Sequence, residues 1–129
     1  MSEYLNFTKL DVYIECRKLR MSISTLVKTF PLEEKYKLTS QILRSSRGVT
    51  ACIAEGYGRY YYKENIQYCR ISRGSLYETH EHLLTALDEK YITNTVLGDF
   101  ELKIEICGKL LNGYINYLLR SKKPKDEDK

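Results

Sequence analysis

Residues 38–58 read LTSQILRSSRGVTACIAEGYG. Leu38, Ile42, Ser45, Val49, Ile53 and Gly56 recur at steps of three and four, so at 100° per residue they share one side of a helix. Lys37, Arg44 and Arg47 fall on the opposite side. Small and apolar on one side and cationic on the other, the segment is an amphipathic helix that must bury one stripe, predicted over about residues 34–57. Gly56-Tyr57-Gly58 then offers two residues that accept left-handed dihedrals, a suitable stop.

The same period runs outward in both directions. Upstream, Val12, Cys16, Leu19, Ile23, Leu26 and Phe30 form a stripe over about residues 9–30, ended at Phe30-Pro31 because a residue before proline is driven out of the helical region. Downstream, Ile66, Cys69, Leu76, His80, Leu83 and Leu87 mark a third helix over about 63–91, with Tyr77 and Leu84 broadening its stripe. Gly74 lies inside that helix, where glycine costs about 1 kcal/mol against alanine, and this predicts the close approach of a neighbouring helix there. A fourth segment, about 96–120, carries Leu97, Phe100, Ile104, Cys107, Leu111, Tyr114 and Leu118 as its seam, with Asn94 or Thr95 as N-cap. Val96, Leu110, Ile115, Tyr117 and Leu119 lie off that seam, more apolar surface than one bundle needs. The prediction is an all-α fold, an antiparallel up-down-up-down four-helix bundle occupying residues 1–121 as one domain, with 122–129 a disordered charged tail.

Size and composition agree. A chain of 129 residues with 43% hydrophobic and 29% charged residues is an ordinary globular domain. Its prolines, Pro31 and Pro124, leave a long uninterrupted run suited to helices. Net charge is +4, and it is uneven: residues 1–61 hold ten Lys/Arg against six Asp/Glu, while residues 62–121 hold seven against eight. The basic bias thus belongs to the first half. Cys16, Cys52, Cys69 and Cys107 form no Cys-x-x-Cys pair and have the positions of reduced core thiols. No stretch approaches the about 20 apolar residues needed to span a bilayer, and charges interrupt the first thirty residues; both features predict the cytoplasm.

Catalytic patterns are weak. A di-iron bundle needs Glu-x-x-His on two helices, whereas Glu78, His80, Glu81 and His82 do not provide it, and His80 and His82 stand 200° apart on a helix. Neither a nucleophile triad nor a phosphate loop is recognisable, and Gly56-x-Gly58 follows a helix rather than a strand. No metal, cofactor or enzymatic activity is predicted. The cations suggest more. Lys37, Arg44 and Arg47 lie along one helix side, Arg59 and Lys63 flank the following turn, and Arg70 comes two turns later, with Tyr57, Tyr60, Tyr61 and Tyr62 interleaved. Arginine pairs with phosphate and tyrosine stacks on unpaired bases, so the set is a candidate RNA or DNA surface, the other reading being a solvated polar face. Arg73 falls on the apolar stripe of the third helix and needs a partner there; Glu55 and Glu78 are the expected ones, in a structural ion-pair network.

Three blocks carry a resemblance: Tyr36-Lys37-Leu38-Thr39-Ser40-Gln41-Ile42, Ile53-Ala54-Glu55-Gly56-Tyr57-Gly58-Arg59, and Ser72-Arg73-Gly74-Ser75-Leu76-x-Glu78. In order and spacing the chain resembles the 23S rRNA intervening-sequence protein family across residues 7–120. More distantly it is similar to the accessory variability proteins of diversity-generating retroelements, which bind nucleic acid. The resemblance implies a left-handed bundle that assembles as a ring-like homopentamer. The chain departs from the family pattern at Thr50, Cys52 and Tyr60-Tyr61-Tyr62, where proline, asparagine and polar residues are usual. A binding protein is therefore expected, either an oligomer that engages RNA, DNA or a nucleic-acid-processing partner, or a protein-only assembly scaffold.

Overall fold

The computed structural model describes residues 6–121, so the expected tail at 122–129 lies outside the described residues. Four helices form the domain: α1 Asp11–Leu26, α2 Leu38–Tyr57, α3 Tyr62–Asp88 and α4 Asn94–Arg120, with no strand among the described residues. α3 and α4 have 27 residues each, about 40 Å at the usual rise.

Each helix packs on its neighbours in sequence, and α1 also packs on α4. Leu19, Ile23, Ile42, Ile53, Leu76, Leu83 and Leu111 are at most 1% exposed and meet at the centre. Burying each such side chain contributes about 1.5–3 kcal/mol. All six residues of the α2 stripe are buried, Ser45 and Gly56 included.

Small residues bring α2 and α3 together. Ser45 Oγ lies 2.8 Å from Thr79 Oγ1, and Ser72 Oγ donates to the Val49 carbonyl at 2.7 Å. A Cβ on Gly48 would stand 3.2 Å from Ser75 Oγ, and one on Gly56 would stand 2.6 Å from Asn65 Oδ1. These contacts join early α2 to late α3 and late α2 to early α3. The glycines of close approach are therefore Gly48 and Gly56. Gly74, predicted for that role, is exposed with nothing within 4 Å of its would-be Cβ. The buried residues of α3 are Asn65, Ile66, Cys69, Ser72, Leu76, Thr79, Leu83 and Ala86. Ile66, Cys69, Leu76 and Leu83 of the predicted stripe are among them, but the buried face turns toward Ser72 and Thr79, leaving His80 and Leu87 half-buried and Tyr77 60% exposed.

The helix ends also differ from the prediction. α1 stops at Leu26 and passes into a 3-10 turn at Val27–Thr29, since Phe30 is already extended before Pro31. α2 begins at Leu38 rather than near Glu34, because the chain makes a second 3-10 turn at Leu32–Glu34; Glu34 Oε1 then accepts the Leu38 N–H at 3.1 Å. The α4 cap is Thr93, whose Oγ1 accepts the Val96 N–H at 3.2 Å. α3 ends in a Schellman turn, with Tyr91 N–H donating to the Ala86 carbonyl at 2.8 Å and Lys90 N–H to Leu87 at 2.9 Å. That turn holds Lys90 at φ 65°, a left-handed position that normally favours glycine.

Candidate nucleic-acid interface and tyrosine cleft

The predicted cations do not form one surface. Arg44 and Arg47 are exposed on the outer side of α2, as the spacing required, and Lys37 is exposed at its start. Lys63 and Arg70 are exposed too, but they belong to another side of the molecule. α3 meets α2 through Ser72, Ser75 and Thr79, and meets α4 through Arg73 and His80. At 100° per residue, Lys63 and Arg70 fall nearer the α4 edge and well away from α2.

What α2 gains instead comes from α1. Arg20 Nη1 donates to Thr50 Oγ1 at 3.0 Å, which holds α1 against α2 one turn beyond Arg47. Arg17, Lys18 and Arg20 line a depression of about 540 Å³ with Thr8, Tyr13, Ile14 and Met21. Lys18 pairs with Glu15 at 3.2 Å. Among the described residues Arg17, Arg20, Arg44 and Arg47 pair with no carboxylate. Sequence reasoning left out Arg17 and Arg20. Their signal was present, since Arg17 and Arg20 flank the buried Cys16 and Leu19 and so sit at the border of the α1 stripe.

The expected network of Glu55, Arg73 and Glu78 is not formed, which corrects that prediction. Arg73 Nη1 donates to Asn112 Oδ1 on α4 at 2.8 Å. Glu55 pairs instead with Arg59 at 2.8 Å, and Glu78 with His82 at 3.4 Å. The rotation of α3 explains the difference. With Ser72 and Leu76 at the core, Arg73 moves to the edge, reaches water, and needs no buried counter-charge.

Arg59 anchors a second feature at the end of the domain where α2 turns into α3. Its Nη2 donates to Glu55 and, at 2.7 Å, to Tyr68 Oη, while the guanidinium lies 4.9 Å from the centre of the Tyr68 ring. The Glu55 bond and the Tyr68 ring raise the Arg59 pKa further, so it is a fixed cation. Beside it a cleft of about 420 Å³ is lined by Tyr57, Tyr62, Tyr114, Tyr117, Asn65 and Arg59. Asn65 is 5% exposed; its Nδ2 donates to Tyr114 Oη at 3.2 Å and its Oδ1 takes the Cys69 thiol at 3.5 Å. Burial pushes the Tyr114 phenol up to about 12. The rings of Tyr114 and Tyr117 are nearly parallel, 11° apart with centroids at 6.3 Å.

Of the tyrosines interleaved with the predicted cations, Tyr57 and Tyr62 line this cleft. Tyr60 and Tyr61 pack edge to face on each other at 4.7 Å, and Tyr60 is 65% exposed. Asn65, Tyr114 and Tyr117 were not anticipated as site residues. The first could have been found as a polar residue in register with Cys69, Ser72, Leu76 and Thr79.

The remaining ionisable groups are structural in their surroundings. His80 Nε2 lies 2.9 Å from Glu101 Oε2 across the α3–α4 groove. Cys16 and Cys107 face each other inside the core, and that contact together with burial pushes the Cys16 thiol up. Burial pushes Cys69 up to about 12, and raises the half-buried Cys52 as well. Among the described residues no three His, Cys, Asp or Glu side chains gather as a metal site, and no helix is long and apolar enough to cross a membrane.

Four packed helices, with no strand among the described residues and tyrosines gathered at one end, define a small all-α domain. Residues 8–113 match the family model described as 23S rRNA-intervening sequence protein, and the chain belongs to that family. A crystal structure of a protein of unknown function from the S23 ribosomal protein family, from Bacteroides thetaiotaomicron VPI-5482, is similar at 25% identity and a TM-score of 0.74. The match covers 81% of this chain and 97% of that one. No curated protein matches the chain.

Proposed function

We propose that this is a non-enzymatic, cytoplasmic bundle protein that binds single-stranded RNA or DNA, or a nucleic-acid-processing partner, through the arginines of α1 and α2. The observation that carries the reading is the Arg20–Thr50 bond. It sets Arg20 of α1 one turn from Arg47 of α2, and Arg17, Arg20, Arg44 and Arg47 stand without carboxylate partners among the described residues. Such cations attract a phosphate backbone and release its counterions on contact. Family membership supports a ribosomal-RNA connection. The test is the double substitution Arg44→Ser/Arg47→Ser in filter binding to a single-stranded oligonucleotide. Weakened binding with unchanged folding supports the reading, and unchanged binding ends it.

The contact registers support an antiparallel up-down-up-down bundle, and the family resemblance supports a left-handed one built into a ring of five copies. An apolar edge offers the joint: Leu102 and Ile106 on α4 are 62% and 49% exposed, and Ile14 on α1 is 37% exposed. Ile14, Ile106 and Leu110 line a shallow groove between them, rimmed by Asp11, Glu15 and Lys109. Exposed apolar stripes of this kind mark interaction surfaces. The same edge favours the second reading, a scaffold that binds only protein. Light scattering separates a ring from a monomer, and Ile106→Glu should break the ring while leaving the four helices folded.

A further inference from the structure

We infer that the tyrosine cleft at the α2–α3 turn holds one planar nucleobase, with the attached phosphate directed to Arg59. The inference rests on the proposed reading of the protein as a nucleic-acid binder, and it names a place where a single base leaves the strand.

Three features of the cleft converge on that ligand. First, its size of about 420 Å³ lies within the range of small-molecule sites, about 300–1,000 Å³. Second, its walls are rich in aromatic groups: Tyr57, Tyr62, Tyr114 and Tyr117 line it from three helices, with Leu10 and Leu118 beside them, and every base has a face that can stack on a tyrosine. Third, its polar groups are few and fixed. Asn65 is buried and is held by Cys69 and Tyr114, so its carboxamide occupies one orientation. A purely anionic ligand would leave the tyrosine rings without a counterpart.

Arg59 supplies the charge. Both of its bonds leave from Nη2, to Glu55 and to Tyr68, so neither Nε nor Nη1 is used in them. Stacking on Tyr68 fixes the plane of the guanidinium. A phosphate arriving there competes with the Glu55 carboxylate for one cation. The consequence has a distinctive sign: removing the charge of Glu55 should tighten phosphate-bearing ligands and leave a neutral nucleoside unaffected.

The experiment is a calorimetric titration of the full chain with adenosine monophosphate, adenosine and inorganic phosphate, repeated for Tyr117→Leu and Glu55→Gln. Both positions are about half exposed, so the variants should fold, and melting curves check this. The expected result is saturable binding of the nucleotide, weaker binding of the nucleoside, and none of phosphate alone. Tyr117→Leu should weaken the nucleotide about tenfold, the loss of one stacking face. Glu55→Gln should tighten it several-fold. Nucleotide binding that is absent in the parent chain, or unmoved by both substitutions, overturns the inference. A single-stranded oligonucleotide titrated in parallel separates the two levels. If the oligonucleotide still binds the Tyr117→Leu variant with full affinity, the cleft assignment fails while the arginine surface stands. If the nucleotide binds the parent and the oligonucleotide does not, the surface fails while the cleft stands.

Discussion

Replacing Gly56 with alanine tests the closest approach in the domain. The added methyl would lie 2.6 Å from Asn65 Oδ1, 3.0 Å from Tyr68 Cβ and 3.1 Å from the Asn65 carbonyl oxygen. Turning Asn65 aside would relieve only the first contact, and it would break the bond to Tyr114 and the contact with Cys69. The other two atoms belong to or adjoin the α3 backbone, so α3 itself must move. Overpacking of this kind costs about 1–3 kcal/mol. A lost buried hydrogen bond adds about 1 kcal/mol. Alanine returns about 1 kcal/mol through its better helix propensity. The net expectation is a destabilisation of about 1–3 kcal/mol, with the helix propensity and the lost bond nearly cancelling. In a domain of this size that lowers the melting temperature by about 3–15 °C. Gly74→Ala is the matched control. Its methyl meets nothing within 4 Å, so only the propensity gain applies, and stability should rise by about 0.5–1 kcal/mol. Urea denaturation followed by circular dichroism measures both. If Gly56→Ala were as stabilising as Gly74→Ala, the contact of α2 with α3 at Asn65 would be refuted.

Lys90→Gly should stabilise the fold by about 0.5–1 kcal/mol in the same assay, because glycine accepts the left-handed position at the end of α3 without strain. The Tyr91 hydroxyl donates to Glu34 Oε2 at 2.7 Å and, with the Leu38 N–H, holds that carboxylate below its usual range. A depressed folded-state pKa contributes stability above the unfolded value, about 4.3, that is lost as pH falls through the folded one. Tyr91→Phe should therefore be less stable than the parent at pH 7, with the gap closing in acid; denaturation at pH 7 and pH 3 would expose a constant gap if the bond contributed nothing. Cys52 should react first with a thiol reagent in the native protein, whereas Cys16, Cys69 and Cys107 should react only on unfolding, as mass spectrometry of partly labelled protein can determine.

Much of the fold is written in periodicity. The α1, α2 and α4 stripes were largely legible because large apolar residues mark them at steps of three and four, although Leu26 and Tyr114 are only half-buried and Ile115, expected off the α4 seam, is buried in it. The α3 stripe was legible in part: Ile66, Cys69, Leu76 and Leu83 are buried as expected, while His80 and Leu87 are only half-buried. Its packed face alternates apolar residues with Asn65, Ser72 and Thr79, and small polar side chains that bond across a helix seam carry no hydrophobic signal. The error propagated: it placed Arg73 in the core and invented a need for Glu55 and Glu78. Helix ends were less legible still. Glu34 caps α2 from four residues away, and the left-handed residue after α3 is lysine rather than glycine, so neither obeys the usual local rule. The candidate sites depended on contacts far apart in sequence. Arg44 and Arg47 were found from α2 alone, but Arg20 joins them through Thr50, thirty residues away, and the cleft needs Tyr114 from α4 beside Asn65 from α3.

The most direct test of the proposed function is the salt dependence of binding to a single-stranded oligonucleotide. If the four arginines of α1 and α2 each contact one phosphate, a plot of log affinity against log salt should fall with a slope of about −3. A slope near zero, or no binding at low salt, would contradict the account.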